Sequence, residues 1–377
     1  MTERRLLTLV GDPNRVSTWS GTPYFFLQAA RRQGLLDGGI ALDPAALRIH
    51  RAVWNAFTLV RTGSAGGFQY SRPFLNRLFA QSLLPREGTI KFITHFPLLP
   101  PVPWGPRWKV IHYIDATLKQ NFEEYGAGKR IARGVREDAL EREREAYHGA
   151  EHVVCMNRWA AESVIGYYDV PRERCHVIVP GANLNEHSLS QVRSMPAPPI
   201  DSSPLRLGFI GKDWRRKGLP LLLDVATTLV RRGISTEVVA IGPSPRDVPA
   251  HPLLRPLGFI DKHGSMERFA RIVHSFHFGF LLSSVEASGM STLECLGLGV
   301  PVIASNVGGL PDSVPEHLGF LFEPNANGAD IADLVQEYVQ KPEHYAALRK
   351  RVEARAPEFS WDKTVIRLAA LLQHSRC

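Results

Sequence analysis

Short apolar runs recur along this chain, each ending at a turn or polar residue, with amphipathic stretches between them. In the first half, Leu6–Val10, Ile90–Thr94, Lys109–Tyr113, His152–Met156 and Cys175–Val179 read as strands. Pro23–Gln33 and Arg136–Tyr147 read as helices, and the alternating signs of Arg136–Arg144 predict a solvated helix face. The second half repeats the alternation. Its strands are Leu205–Ile210, Thr236–Ile241, Leu257–Phe259, Phe278–Leu282 and Val300–Ala304, and Leu219–Arg232 is a helix. Strand–helix alternation in both halves predicts two parallel, doubly wound α/β sheets.

Residues 186–204, EHSLSQVRSMPAPPIDSSP, are rich in serine and proline and weakly apolar, as an interdomain segment is. The predicted plan is a first domain over residues 1–190, a linker over 191–204 and a second domain over 205–359. Ser360–His374 is amphipathic, with Trp361, Val365, Leu368 and Leu371 near one face. A helix over 360–377 is therefore expected to pack back on the first domain.

A chain of 377 residues is too long for one ordinary core and suits two domains. No apolar run approaches the roughly 18 residues that span a bilayer. The start, MTERRLLTLVGDPN, reads as a strand and not as a signal peptide. Cys155, Cys175, Cys295 and Cys377 lie far apart without metal or disulfide spacing, which suits a reducing cytoplasm. The net charge of +8 is uneven, because residues 1–100 hold 12 Lys and Arg against 5 Asp and Glu. A basic half favours an anionic partner such as a phosphate or a lipid headgroup. Nucleic acid is disfavoured, since no basic–aromatic alternation is present.

The candidate chemistry concentrates in Ser283–Leu310, SSVEASGMSTLECLGLGVPVIASNVGGL. Glu286 sits in a loop after a strand, and Glu294 follows eight residues later on a helix. Between them Ala287, Ser288, Gly289 and Met290 place small residues at the helix start. The first N–H groups of a helix lack partners and the dipole is positive there, so such a start takes an anion. Two carboxylates beside an anion site suit a ligand that carries both phosphates and hydroxyls. The same turn also closes many α/β units that bind nothing. After the strand Leu205–Ile210 comes the loop GKDWRRKG, in which Lys212 and Lys217 can neutralise a diphosphate. In the first half, Gly21 precedes Thr22, a candidate N-cap, and Pro23 at the first helical position. His95, His112 and Asp115 stand in or at the carboxyl ends of strands, where ligands of open α/β sheets bind.

Taken together the motifs resemble the retaining GT-B glycosyltransferases of family 4, glycosyltransferase group 1. The resemblance rests on Glu286 and Glu294 with GVPVIASNVGGLPD after them, on GKDWRRKG, on SGTPYF, and on CMNRWAAESVIGYYDVPRERCHVIVPGAN. It implies two Rossmann-like domains facing each other across a cleft that holds the active site. By position, Glu294 would hold the nucleotide ribose, Glu286 the donor sugar, and the N–H groups around Ser288, Gly289 and Met290 the phosphates. Lys217 matches the family's phosphate-binding lysine. Lys212 stands where the family has arginine, so Arg215 or Arg216 can substitute for it. Gly21 would admit the diphosphate, and Asp115 would reach the sugar, with His112, His95 and Thr22 as weaker candidates.

The resemblance implies a hexosyltransferase that uses a UDP-sugar or GDP-sugar, retains anomeric configuration and needs no metal. It would act on a glycan or lipid-linked acceptor in polysaccharide or glycoconjugate assembly. An NDP-sugar 2-epimerase of the same fold, and a non-catalytic glycan- or nucleotide-binding module, are the alternatives. The expected location is the cytoplasm, with peripheral contact at the inner face of an anionic membrane. Arg61, Arg72, Arg77 and Arg86, with Phe74, Leu75, Leu78 and Phe79 between them, make the candidate contact surface.

Overall fold

The computed structural model describes residues 3–85, 87–185, 190, 192 and 194–374. Its chain divides into two compact units. One runs up to Val179 and takes in the last helix from Val365 onward; the other is Pro180–Thr364. Part of the serine- and proline-rich stretch 186–204 lies outside the described residues, as does Arg86.

The first unit holds a parallel sheet of β1 (Glu3–Thr8), β2 (Gly38–Gly39), β3 (Thr89–Thr94), β4 (Trp108–Ile114), β5 (His152–Cys155) and β6 (Cys175–Val177). Their spatial order is β2-β1-β3-β4-β5-β6. β1 begins earlier than its apolar run because Glu3, Arg4 and Arg5 already pair with β3 while their side chains reach toward solvent. Hydrophobicity marks the buried end of a strand; hydrogen bonding sets its length. Around the sheet lie α1 (Thr22–Arg32), α2 (Arg48–Thr62), α3 (Arg72–Phe79), α4 (Leu118–Glu123), α5 (Arg133–Gly149) and α6 (Arg158–Gly166).

Two expectations are corrected here. Glu137 and Glu141 of α5 are exposed but Arg142 and Glu143 are buried, so the charged run is only in part a solvated face. Glu143 accepts from the Leu118 N–H and the Tyr147 hydroxyl, and Arg142 donates to the Tyr70 carbonyl. Phe74, Leu75, Leu78 and Phe79 of α3 are also buried, in the core with Phe92 and Leu98, so α3 offers no apolar surface.

The second unit holds β7 (Leu205–Ile210), β8 (Thr236–Ile241), β9 (Leu254–Gly258), β10 (Phe278–Leu281), β11 (Val302–Ser305) and β12 (Gly319–Phe322), ordered β12-β11-β10-β7-β8-β9 and all parallel. Its helices are α7 (Leu219–Arg231), α8 (Lys262–His274), α9 (Met290–Gly297), α10 (Leu310–Ser313), α11 (Gly328–Gln340) and α12 (Pro342–Arg355). α13 (Trp361–His374) begins in this unit and continues into the first. Trp361 donates its indole N–H to Asn183 at 3.0 Å, which ties the start of α13 to the beginning of the second unit. Both units are thus parallel α/β sheets of the Rossmann type. Among the described residues, no helix is long and apolar enough to cross a membrane.

The strand orders locate the crevices. In each sheet the first strand of the unit is flanked by strands reached by crossovers on opposite sides, and the loops diverge at that point. In the second unit the switch lies between β7 and β10, where Phe278 pairs with Leu207 and Phe280 with Phe209. In the first it lies between β1 and β3.

Candidate functional site

The loop after β7 and the loop after β10 leave the sheet side by side, so residues about seventy apart in sequence meet. Lys217 donates to the Glu286 Oε2 at 2.8 Å, and Arg216 reaches the same oxygen at 3.1 Å. Arg216 also donates to the Val285 carbonyl at 2.7 Å, and its own carbonyl accepts from the Ser284 N–H. The Ser283 hydroxyl completes the set at 3.2 Å from Glu286. Burial by itself would raise the Glu286 carboxyl. Lys217 and Arg216 outweigh that and hold it below the ordinary glutamate value.

Glu294 lies on the first turns of α9, buried, where its Oε1 pairs with the Lys262 ammonium. Here burial wins over Lys262 and Lys217, and the carboxyl is raised. Gly289 caps α9 in the left-handed conformation at φ 53°. A side chain there would overlap Leu310 of the next glycine turn. Gly308, at φ 54°, is equally constrained: a Cβ would overlap the Glu286 carbonyl oxygen, while the neighbouring Gly309 N–H donates to that oxygen at 3.1 Å. The Gly308–Gly309 turn therefore clasps the Glu286 backbone. The buried hydroxyls of Ser288 and Ser291, on either side of Gly289 and Met290, have no hydrogen-bond partner among the described residues. Buried hydroxyls are normally paired, so a pair left open at a helix start fits an anionic ligand there.

Lys212 does not join this cluster. It is exposed, with its ammonium 4.2 Å from the Phe259 ring centroid, and Arg215 lies over Trp214. Arg216 is the second cation on Glu286. Lys262 was not legible in advance. Its signal is a lysine in the first turn of a helix, where the dipole disfavours a cation unless a carboxylate holds it.

In the first unit Gly21, at φ 94°, is the N-cap of α1. Thr22 is the first helical residue and not the cap, because the turn needs a left-handed residue that only glycine takes without strain. Trp19 and Ser20 just before it also have positive φ, of 47° and 58°. His95 sits beside this turn's strand, with its N–H on the Thr8 carbonyl at 3.2 Å and its Nδ1 2.8 Å from the Tyr113 carbonyl. Its Nε2 is buried without a partner among the described residues. Burial pushes His95 down to about 4, so it is neutral at physiological pH. His112 is buried inside β4 between Trp104 and Tyr147, and burial pushes it down to about 3. That is a core position. Asp115 follows β4, exposed, and its carbonyl accepts from Asn157 at 2.9 Å. Among the described residues no group of three His, Cys, Asp or Glu side chains is placed to hold a metal ion.

Residues 193–355 match the family described as glycosyl transferases group 1. A D-inositol 3-phosphate glycosyltransferase of Saccharomonospora viridis is 26% identical over 233 residues, 57% of this chain and 53% of that protein. The chain spans about half the length of the curated relatives it matches first. Among solved structures, sucrose-phosphate synthase from Thermosynechococcus elongatus superposes with a TM-score of 0.65 at 15% identity, covering 99% of each chain. The Anabaena protein HepE, solved in complex with UDP-glucose, gives 0.62 at 14% identity over 99% of each. Both show that the fold is GT-B.

Proposed function

Residues 193–355 match glycosyl transferases group 1, and from that match we propose that the chain transfers a sugar from a nucleoside-diphosphate donor to an acceptor hydroxyl, with retention of configuration. The observation that supports the reading is the pairing of Lys217 with the buried Glu286 at the switch between β7 and β10, beside the α9 start. A nucleotide-sugar has a part for each group present. Glu294 accepts from the ribose hydroxyls and Glu286 from the sugar. The α9 N–H groups, Lys217 and Arg216 neutralise the diphosphate.

Glycosyl transfer passes through an oxocarbenium-like state, as glycoside hydrolysis does. The leaving diphosphate gains charge as the bond to the anomeric carbon breaks. Lys217 and the helix dipole stabilise that charge where it develops. The acceptor hydroxyl attacks from the same face and gives its proton to the leaving phosphate, so no protein nucleophile takes part. The donor is a UDP-sugar or GDP-sugar, the acceptor a glycan or lipid-linked sugar, and divalent metal is not required.

Incubation with a panel of UDP- and GDP-sugars, with nucleoside diphosphate release as readout, tests the reading. Acceptor-dependent release with one donor is expected. Inversion of a hydroxyl on the donor without release would assign an epimerase, and binding with neither would leave a non-catalytic module.

A further inference from the structure

α2 is built with its apolar side outward. Along RIHRAVWNAFTLVRT the helical repeat places Ile49, Val53, Phe57 and Val60 on one side. All four are exposed, Val60 at 90% and Ile49 at 78%. The opposite side, Trp54, Asn55 and Thr58, faces the unit, and Thr58 is the residue of this helix that is buried. A surface helix ordinarily does the reverse, and the neighbouring α3 does so here. Single exposed apolar side chains need no explanation, but a stripe along about three turns of one helix does.

Charge says what covers it. From residue 44 to residue 86 the sequence holds six arginines, Arg48, Arg51, Arg61, Arg72, Arg77 and Arg86, and no aspartate or glutamate. Arg48 and His50 stand at one end of the stripe and Arg61 at the other, with the Arg61 guanidinium 6.0 Å from the Phe57 ring centroid. We propose that α2 seats this chain on an anionic lipid surface, with Ile49, Val53, Phe57 and Val60 entering the acyl boundary and the arginines at headgroup level. The two halves of the observation need each other: apolar burial and attraction to anionic headgroups together give reversible anchoring without a spanning segment. A second copy of the chain is a poor occupant. A two-fold contact sets the same patch against itself, which would oppose arginine to arginine with no carboxylate between.

The test uses the full chain and sedimentation with vesicles, without donor or acceptor, so it does not depend on the transfer reading. Phosphatidylcholine vesicles are compared with phosphatidylcholine–phosphatidylglycerol vesicles at low and high salt. Binding is expected with the anionic mixture and should fall as salt rises. Val53→Ser with Phe57→Ser and Val60→Ser should lower the partition about tenfold or more, by loss of buried apolar area. Arg48→Gln with Arg61→Gln should lower it about tenfold at low salt. In both sets the melting temperature should match that of the parent protein, which shows the fold is kept. Equal binding to both vesicle types, or undiminished binding of the triple serine variant, would overturn the proposal. So would a parent dimer in sedimentation velocity that the serine variant turns into a monomer.

Discussion

Glu286 and Glu294 flank one loop-to-helix turn and are pushed in opposite directions. Lys217 and Arg216 overcome burial at Glu286 and keep it anionic, whereas burial outweighs Lys262 and Lys217 at Glu294 and lifts it. Two carboxylates so close in sequence and so unlike in environment suit different tasks. Glu294→Ala should weaken calorimetric binding of the bare nucleoside diphosphate. Glu286→Ala should leave that binding near the parent value and slow sugar transfer. Equal loss of nucleotide binding in both would mean the roles are not divided this way.

Lys217 is the cation shared by the phosphate reading and by Glu286. Lys217→Ala should cost roughly 2–4 kcal/mol of transition-state stabilisation, read from kcat/KM. The variant also leaves Glu286 with Arg216 as its remaining cation, so the carboxyl rises. Turnover close to the parent with the right donor would rule the lysine out.

The sequence carries the fold well and the site in part. Strands buried on both faces show as apolar runs, which is why both sheets were legible. The loop geometry joining Lys217 to Glu286 was not, because pairing across sixty-nine residues depends on strand order, and strand order leaves no local trace. Alternating charge in α5 pointed to solvent because periodicity records polarity and not partners. Arg142 and Glu143 are buried because the Tyr70 carbonyl, the Leu118 N–H and two tyrosine hydroxyls receive them. The basic sequence of the first half suggests a membrane surface at α3, yet the exposed apolar stripe belongs to α2. Both helices are amphipathic, and amphipathicity alone does not say which side faces inward.

Gly308 should tolerate no side chain. Its positive φ and its closeness to the Glu286 carbonyl mean that Gly308→Ala must move the loop that carries Glu286. A destabilisation of about 1–3 kcal/mol is expected for such a strained position. It should come with a larger loss of transfer than of nucleotide binding. A variant with unchanged melting temperature and unchanged turnover would show that the clasp does not matter.

Transfer should persist in excess EDTA. The charge that a divalent ion would neutralise is met by Lys217, Arg216 and the α9 start, by the reading above. Activity that disappears with chelator and returns with magnesium or manganese would sink it.

Glu143 supplies a test of stability against pH. Its carboxyl accepts from the Leu118 N–H at 2.9 and 3.0 Å, from the Tyr147 hydroxyl at 2.7 Å and from the Tyr168 hydroxyl. Burial nevertheless pushes it up to about 7, against an ordinary 4.5. A carboxyl raised on folding binds its proton more tightly in the native chain than in the unfolded one. Its contribution is fully present below the unfolded value and is lost as pH rises through about 7. The difference amounts to about 3 kcal/mol. Glu143→Gln removes the titration and keeps an acceptor for the tyrosine hydroxyls. Its melting temperature should stay level between pH 5 and 8 where that of the parent falls, and should exceed the parent's at pH 8. Parallel melting curves across that range would mean that Glu143 does not change its protonation there and is held in one state by the groups that surround it.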